Sequence, residues 1–162
     1  MYRAGPSPLA HVLEAKLGPH GFATRDPDES LAQRGILKLF HRKTWNTNRG
    51  VVLGDPGQTP IADFVQRQRY EAGPFLGSSW WSQLGLQVVL AIEGAPLPSV
   101  EQLGSLVDAV NTQSILIHSV FALDASTGEW RQARTWGQVV TGKFQDAIAA
   151  AITEVVAARS GG

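Results

Sequence analysis

Leu9, Val12, Leu13 and Leu17 recur at helical spacing. Ser7 precedes them as an N-cap, Pro8 occupies the first helical position and Gly18 ends the block, so the spacing predicts a first helix. The polar segment Thr24–Arg34 reads as loop. Gly35–Lys43 and Val51–Leu53 read as strands joined by the turn-rich TWNTNRG, an antiparallel hairpin. Thr59 and Pro60 open a short helix with Ile61, Phe64 and Val65 inward, and Gly73–Ser79 reads as a loop.

Leu84–Ile92 (LGLQVVLAI) is apolar on both of its faces, the pattern of a central strand covered on both sides. Ser99 and Gln102 spell a capping box for a helix carrying Leu103, Leu106, Val107 and Val110. Ser114–Leu123 is a second long buried strand, so the two strands and the helix between them predict a right-handed βαβ unit. After the turn Asp124–Glu129, Trp130–Trp136 alternates like an edge strand. Thr141 then caps a last helix whose apolar face is Phe144, Ile148, Ala151, Ile152, Val155 and Val156, with residues 159–162 as a frayed tail.

The expected order is α-β-β-α-β-α-β-β-α. It describes one α/β domain with α+β character, spanning 1–162, with a single mixed sheet of about five strands and helices on both faces.

Composition narrows the choice of function. The 162 residues are 43% hydrophobic, enough for a sizeable core, and 14 Lys+Arg balance 14 Asp+Glu, so nucleic-acid binding would need a local patch. The absence of cysteine removes disulfides, thiol catalysis and cysteine-bound zinc, and fits a reducing cytoplasm. No signal-like h-region opens the chain and no apolar run approaches roughly 18 residues, so no membrane association is expected. Arg outnumbers Lys by 10 to 4, a bias associated with GC-rich bacterial genomes.

Gly137–Phe144 (GQVVTGKF) imitates the phosphate loop G-x-x-x-x-G-K-[ST], and VFALD at Val120–Asp124 imitates its magnesium-holding strand. Phe144 cannot offer the hydroxyl that magnesium needs, the preceding strand is edge-like, and too little chain follows for further parallel strands. The segment therefore reads as a turn and helix start, with Lys143 left as a candidate anion contact.

A metal-dependent nuclease core would use Glu14 and Asp55, but the next strand offers Gln87 and Glu93 with no lysine to orient water, leaving at most a degenerate nuclease-like domain. His11, His20, His41 and His118 show no metal-ligand spacing, and no G-x-S-x-G elbow accompanies Ser78, Ser79 or Ser119. No cofactor, metal or catalytic residue is assigned. An enzyme pairing His118 with Asp124 or Glu93 would need them to converge in space.

Two binding surfaces remain. The five tryptophans fall at strand ends or in loops, so Trp80 and Trp81 with adjoining Phe75 and Leu76, and Trp130 with Trp136, form the candidate surface for contact with another protein or a second copy. This leading expectation is a non-catalytic adaptor or complex subunit. The alternative is nucleic-acid or phosphate-ligand binding through the basic hairpin 38–49, with Lys38, Arg42, Lys43, Trp45 and Arg49, joined by Lys143.

Overall fold

The computed structural model describes residues 7–45, 47–77, 83–108, 114–135 and 138–161. In chain order these form α1 (Ser7–Leu17), β1 (Ala23–Arg25), α2 (Glu29–Gln33), β2 (Ile36–Lys43), β3 (Asn48–Gly54), α3 (Ile61–Arg67), α4 (Ala72–Phe75), β4 (Leu84–Ile92), α5 (Val100–Gly104), β5 (Ile115–Asp124), β6 (Trp130–Arg134) and α6 (Gln138–Ser160). The strands make one open six-stranded sheet in sequential order β1 to β6. β2 runs antiparallel to both β1 and β3, β3, β4 and β5 are parallel, and β6 returns antiparallel along β5.

β4 is buried throughout, as its unbroken apolar run requires. Leu84, Leu86, Val88, Leu90 and Ile92 enter one core layer with Leu31, Phe64, Val65, Ala72 and Leu103 from α2 to α5. Val89 faces the other layer, where Leu9, Leu13 and Leu17 of α1 meet Phe144, Ile148, Ala151 and Ile152 of α6. Each fully buried Leu or Phe removes apolar area worth about 1.5–3 kcal/mol, so both sheet faces need a helical cover. The expected βαβ unit is present: β4 and β5 are parallel and α5 lies between them in the chain. Its capping box also forms, with Ser99 Oγ accepting from Gln102 N at 3.1 Å and Gln102 Oε1 from Ser99 N at 2.7 Å.

The sheet has six strands rather than about five, because the segment expected as loop contains β1 and α2. Three residues are too few to show alternation, and β1 exists through pairing with β2. α2 is capped by Asp28, whose carboxylate accepts from Leu31 N at 2.8 Å, yet it buries Leu31 alone. α4 likewise falls within the loop expected at 73–79. β3 extends beyond the expected 51–53 on both sides. Neither expected threonine cap holds. α3 begins behind Pro60 with no side-chain cap, and Thr141 lies inside α6, fully buried. α6 continues to Ser160, so helix replaces much of the expected frayed end.

Candidate anion-binding site

β2 and β3 place Arg42 and Arg49 directly opposite each other, Cα partner to Cα partner. Side chains alternate along a strand, so Arg49 shares the face of Val51 and Leu53, and Arg42 that of Phe40, the face that α1 and α6 cover. The turn that sets this register is closed by Thr44 and Thr47. Thr44 N donates to Thr47 O at 2.8 Å, and Thr47 N to Thr44 Oγ1 at 3.2 Å. Behind it the buried Asn48 bonds His41 Nε2 through Oδ1 at 2.6 Å.

Neither arginine forms an ion pair among the described residues. Arg49 Nη1 donates to Asn48 O at 3.0 Å and Arg42 Nη1 to Thr47 Oγ1 at 3.4 Å, while Arg49 Nε is buried with no partner among those residues. Burial, and then the charge of Arg42, lower the pKa of Arg49. Two cations are thus held on facing positions, half out of water, without a counter-charge among the described residues.

An irregularity in the sheet completes the surroundings. Leu86 pairs with Ile117 but Gln87 pairs with Ser119, so His118 is an additional residue in β5. Such a bulge turns successive side chains toward one face. Ser119 Oγ donates to Gln87 Oε1 and Gln145 Nε2 donates to the same oxygen at 3.3 Å, tying β5, β4 and α6 together. The His118 ring packs over Gly85, where a Cβ would meet its Cε1 at 2.7 Å and Arg49 Cδ at 3.1 Å. Glycine at 85 is therefore what lets the imidazole and the arginine stem share one place. Burial first, then Arg49, push the His118 pKa down to about 4 against an opposing pull from Asp108, so the ring is neutral at pH 7. Asp108 is itself occupied: both its oxygens accept from Arg69, at 2.7 and 2.8 Å, and Oδ2 also accepts from Ile117 N at 2.7 Å.

α6 contributes the remaining wall. The Phe144 ring lies edge-on to Phe22 and His20, with the Arg42 guanidinium 5.3 Å and Lys143 Nζ 5.1 Å from its centroid. Lys143 and Arg42, about a hundred residues apart in the chain, thus both lie near the Phe144 ring. Gly142 and Lys143 sit in the second turn of α6, not in a loop, which removes the phosphate-loop geometry, and Phe144 is core.

The other basic candidates divide. Lys38 Nζ is paired with Asp26 Oδ1 at 2.5 Å, whereas Lys43 is exposed at the hairpin tip beside Trp45, itself 95% exposed. Of the protein-contact candidates, Trp80, Trp81 and Trp136 lie outside the described residues, as do Asn46, Ser78, Ser79 and Val110. Leu76 is 1% exposed and packs in the α2–α5 layer, so it offers no surface to a partner. Phe75 is half-buried under the Arg25 guanidinium, 4.5 Å from its ring centroid. Trp130 is half-buried against the α1/α6 layer.

The carboxylates considered for catalysis do not converge on His118. Glu14 is exposed on α1, and Asp55, Glu93 and Asp124 lie at the carboxyl ends of β3, β4 and β5, whereas His118 is at the amino end. His118 and Asp124 are six residues apart on one strand, roughly 20 Å. Asp124 shapes a turn, accepting from Ser126 Oγ at 2.5 Å, Ser126 N at 2.9 Å and Thr127 N at 3.2 Å, bonds that lower its pKa, the Ser126 hydroxyl foremost. Gln87 was visible in the sequence as a polar interruption of an apolar strand, but its joining to Ser119 and Gln145 was not. Tyr70, 79% exposed, carried no signal.

No protein-family model matches this chain, and neither do the curated proteins or the solved structures with which it was compared.

Proposed function

We propose that this domain binds a phosphate-bearing ligand at the amino end of its parallel strands, with Arg42 and Arg49 as the anchoring pair. The observation that carries this reading is the pair itself: two arginines at facing strand positions, half-buried and without an ion pair among the described residues. Bringing like charges together out of water is unfavourable unless an anion completes the arrangement, and the planar fork of arginine suits phosphate oxygens. Lys143 of α6, near the Phe144 ring that Arg42 also approaches, is the candidate for a third charge. A neutral His118 raises no further repulsion and presents imidazole for hydrogen bonding rather than charge. Lys43 and the exposed Trp45 extend the surface toward the hairpin tip, where an indole can stack a base, so single-stranded nucleic acid is the ligand form that uses every part.

The test is titration of the intact chain with inorganic phosphate and with a short single-stranded oligonucleotide at several salt concentrations. Binding should weaken steeply with salt. Arg42→Met and Arg49→Met should each reduce affinity at least about tenfold, the loss of one charge-assisted contact. Binding that ignores salt and both substitutions sinks the proposal.

A second reading, contact with another protein through aromatic surface, is favoured by the exposure of Trp45 and Tyr70. It predicts a partner interaction lost in Trp45→Ala and Tyr70→Ala but indifferent to Arg49→Met.

A further inference from the structure

At the opposite end of the parallel strands lies a cavity of about 820 Å³, where α1 begins and α6 ends. Leu9 and Val12 of α1, Val156 of α6 and Leu123 of β5 form apolar walls. The space persists because Ala91 and Ala125 stand on the sheet side, and alanine cannot bridge a gap that Leu or Ile would fill. The volume falls in the range of small-molecule sites, and the carboxyl ends of parallel strands are where open α/β sheets receive ligands.

Charge at the mouth discriminates among ligands. Glu154 is paired with Lys16 at 3.3 Å, and Arg159 Nη2 donates to Ser126 O at 3.0 Å. Asp55 and Glu93 make no ion pair among the described residues, and the one bond to the Asp55 carboxylate among them is from Gly57 N to Oδ1 at 2.9 Å. Both also line an adjoining cavity of about 500 Å³ between the loops after β3 and β4, with no basic residue among its described lining. The two carboxylates therefore share a wall between two cavities with no cation paired to them among the described residues, while Arg159, which also lines the larger cavity, is bonded to Ser126 O.

We infer that the larger cavity binds a small molecule with an apolar body and a protonated amine, the body against Leu9, Val12 and Val156 and the amine facing Asp55 and Glu93. An apolar acid of the same length would set its own carboxylate beside two unpaired ones. A neutral analogue would gain the apolar burial alone.

The inference is tested by calorimetric titration of the intact chain at pH 7 with octylamine, octanoate and 1-octanol. Octylamine should bind at least about tenfold more tightly than octanoate, with 1-octanol between them. Asp55→Asn combined with Glu93→Gln should erase the amine's advantage while leaving 1-octanol unchanged, and Val156→Trp should remove binding of all three by filling the cavity. Should that variant fail to fold, Val12→Phe on the opposite wall serves the same purpose. Equal affinity for acid and amine, an amine preference that survives the double substitution, or no binding of any of the three overturns the inference.

Discussion

The two ends of the parallel strands use one fold in opposite ways. At the amino end, the arginine pair, a neutral imidazole and a buried Gln87–Ser119–Gln145 network share the sheet face beneath α6. At the carboxyl end, small and aliphatic side chains leave an open apolar cavity rimmed by Asp55 and Glu93. A chain with no net charge thus sets two arginines without an ion pair at one end of its sheet and two carboxylates without one at the other, among the described residues, with Arg159 beside the carboxyl-end cavity as well. Overall neutrality therefore says little about local fields, which act over roughly 10 Å at ordinary salt.

The largest effect expected from breaking this contrast is a pH dependence. The folded pKa of His118, about 4, lies below its ordinary 6.5, so the unfolded chain takes up a proton first as pH falls. Its contribution to stability is complete above pH 6.5 and lost as pH falls toward 4, by at most about 3 kcal/mol. Chemical denaturation across this range should show the loss in the parent chain and a flatter profile in His118→Gln. Arg49→Met should raise the His118 pKa in an NMR titration, because a repelling charge has been removed. An unchanged titration would separate His118 from the arginine pair.

Gly85→Ala should cost about 2 kcal/mol in urea unfolding, since the new Cβ overlaps the imidazole and the Arg49 stem, and overpacking a filled site carries a cost of that order. Gly104→Ala is the matched control, because nothing lies within 4 Å of its added Cβ. Gln87→Leu should lose about 1–2 kcal/mol, as Ser119 Oγ and Gln145 Nε2 forfeit their shared acceptor in a buried place. If it instead gains stability, the polar network is dispensable to the fold. The smallest effect expected is Lys143→Ala, which should leave unfolding unchanged and lower the slope of log affinity against log salt by about one contact for a bound oligonucleotide.

Much of the fold was legible because burial imposes periodicity. LGLQVVLAI has the pattern of a strand covered on both faces, and the stripe from Phe144 to Val156 that of a helix lying on a core, and both form so. β1, α2 and α4 were not legible, since each is stabilised by what it packs or pairs with and is too short to carry a period. The site was legible in part. Arg42 and Arg49 were recognisable as a basic hairpin, but Lys38 belonged to Asp26, and Leu76, read as contact surface, belonged to the core.

Composition and spacing alone determined the layered α/β plan, the parallel pairing of the two most apolar strands and the loss of the phosphate-loop motif at Phe144. These follow from local chemistry: which side chains avoid water, at what period, and which atoms a motif must supply. Tertiary structure decided that Arg42 faces Arg49, that an additional residue in β5 sets His118 over Gly85, and that Arg42 meets the Phe144 ring of α6. It also decided that Asp55 and Glu93 open on one cavity. Strand register and helix docking bring together residues far apart in the chain, and no local period encodes such a meeting.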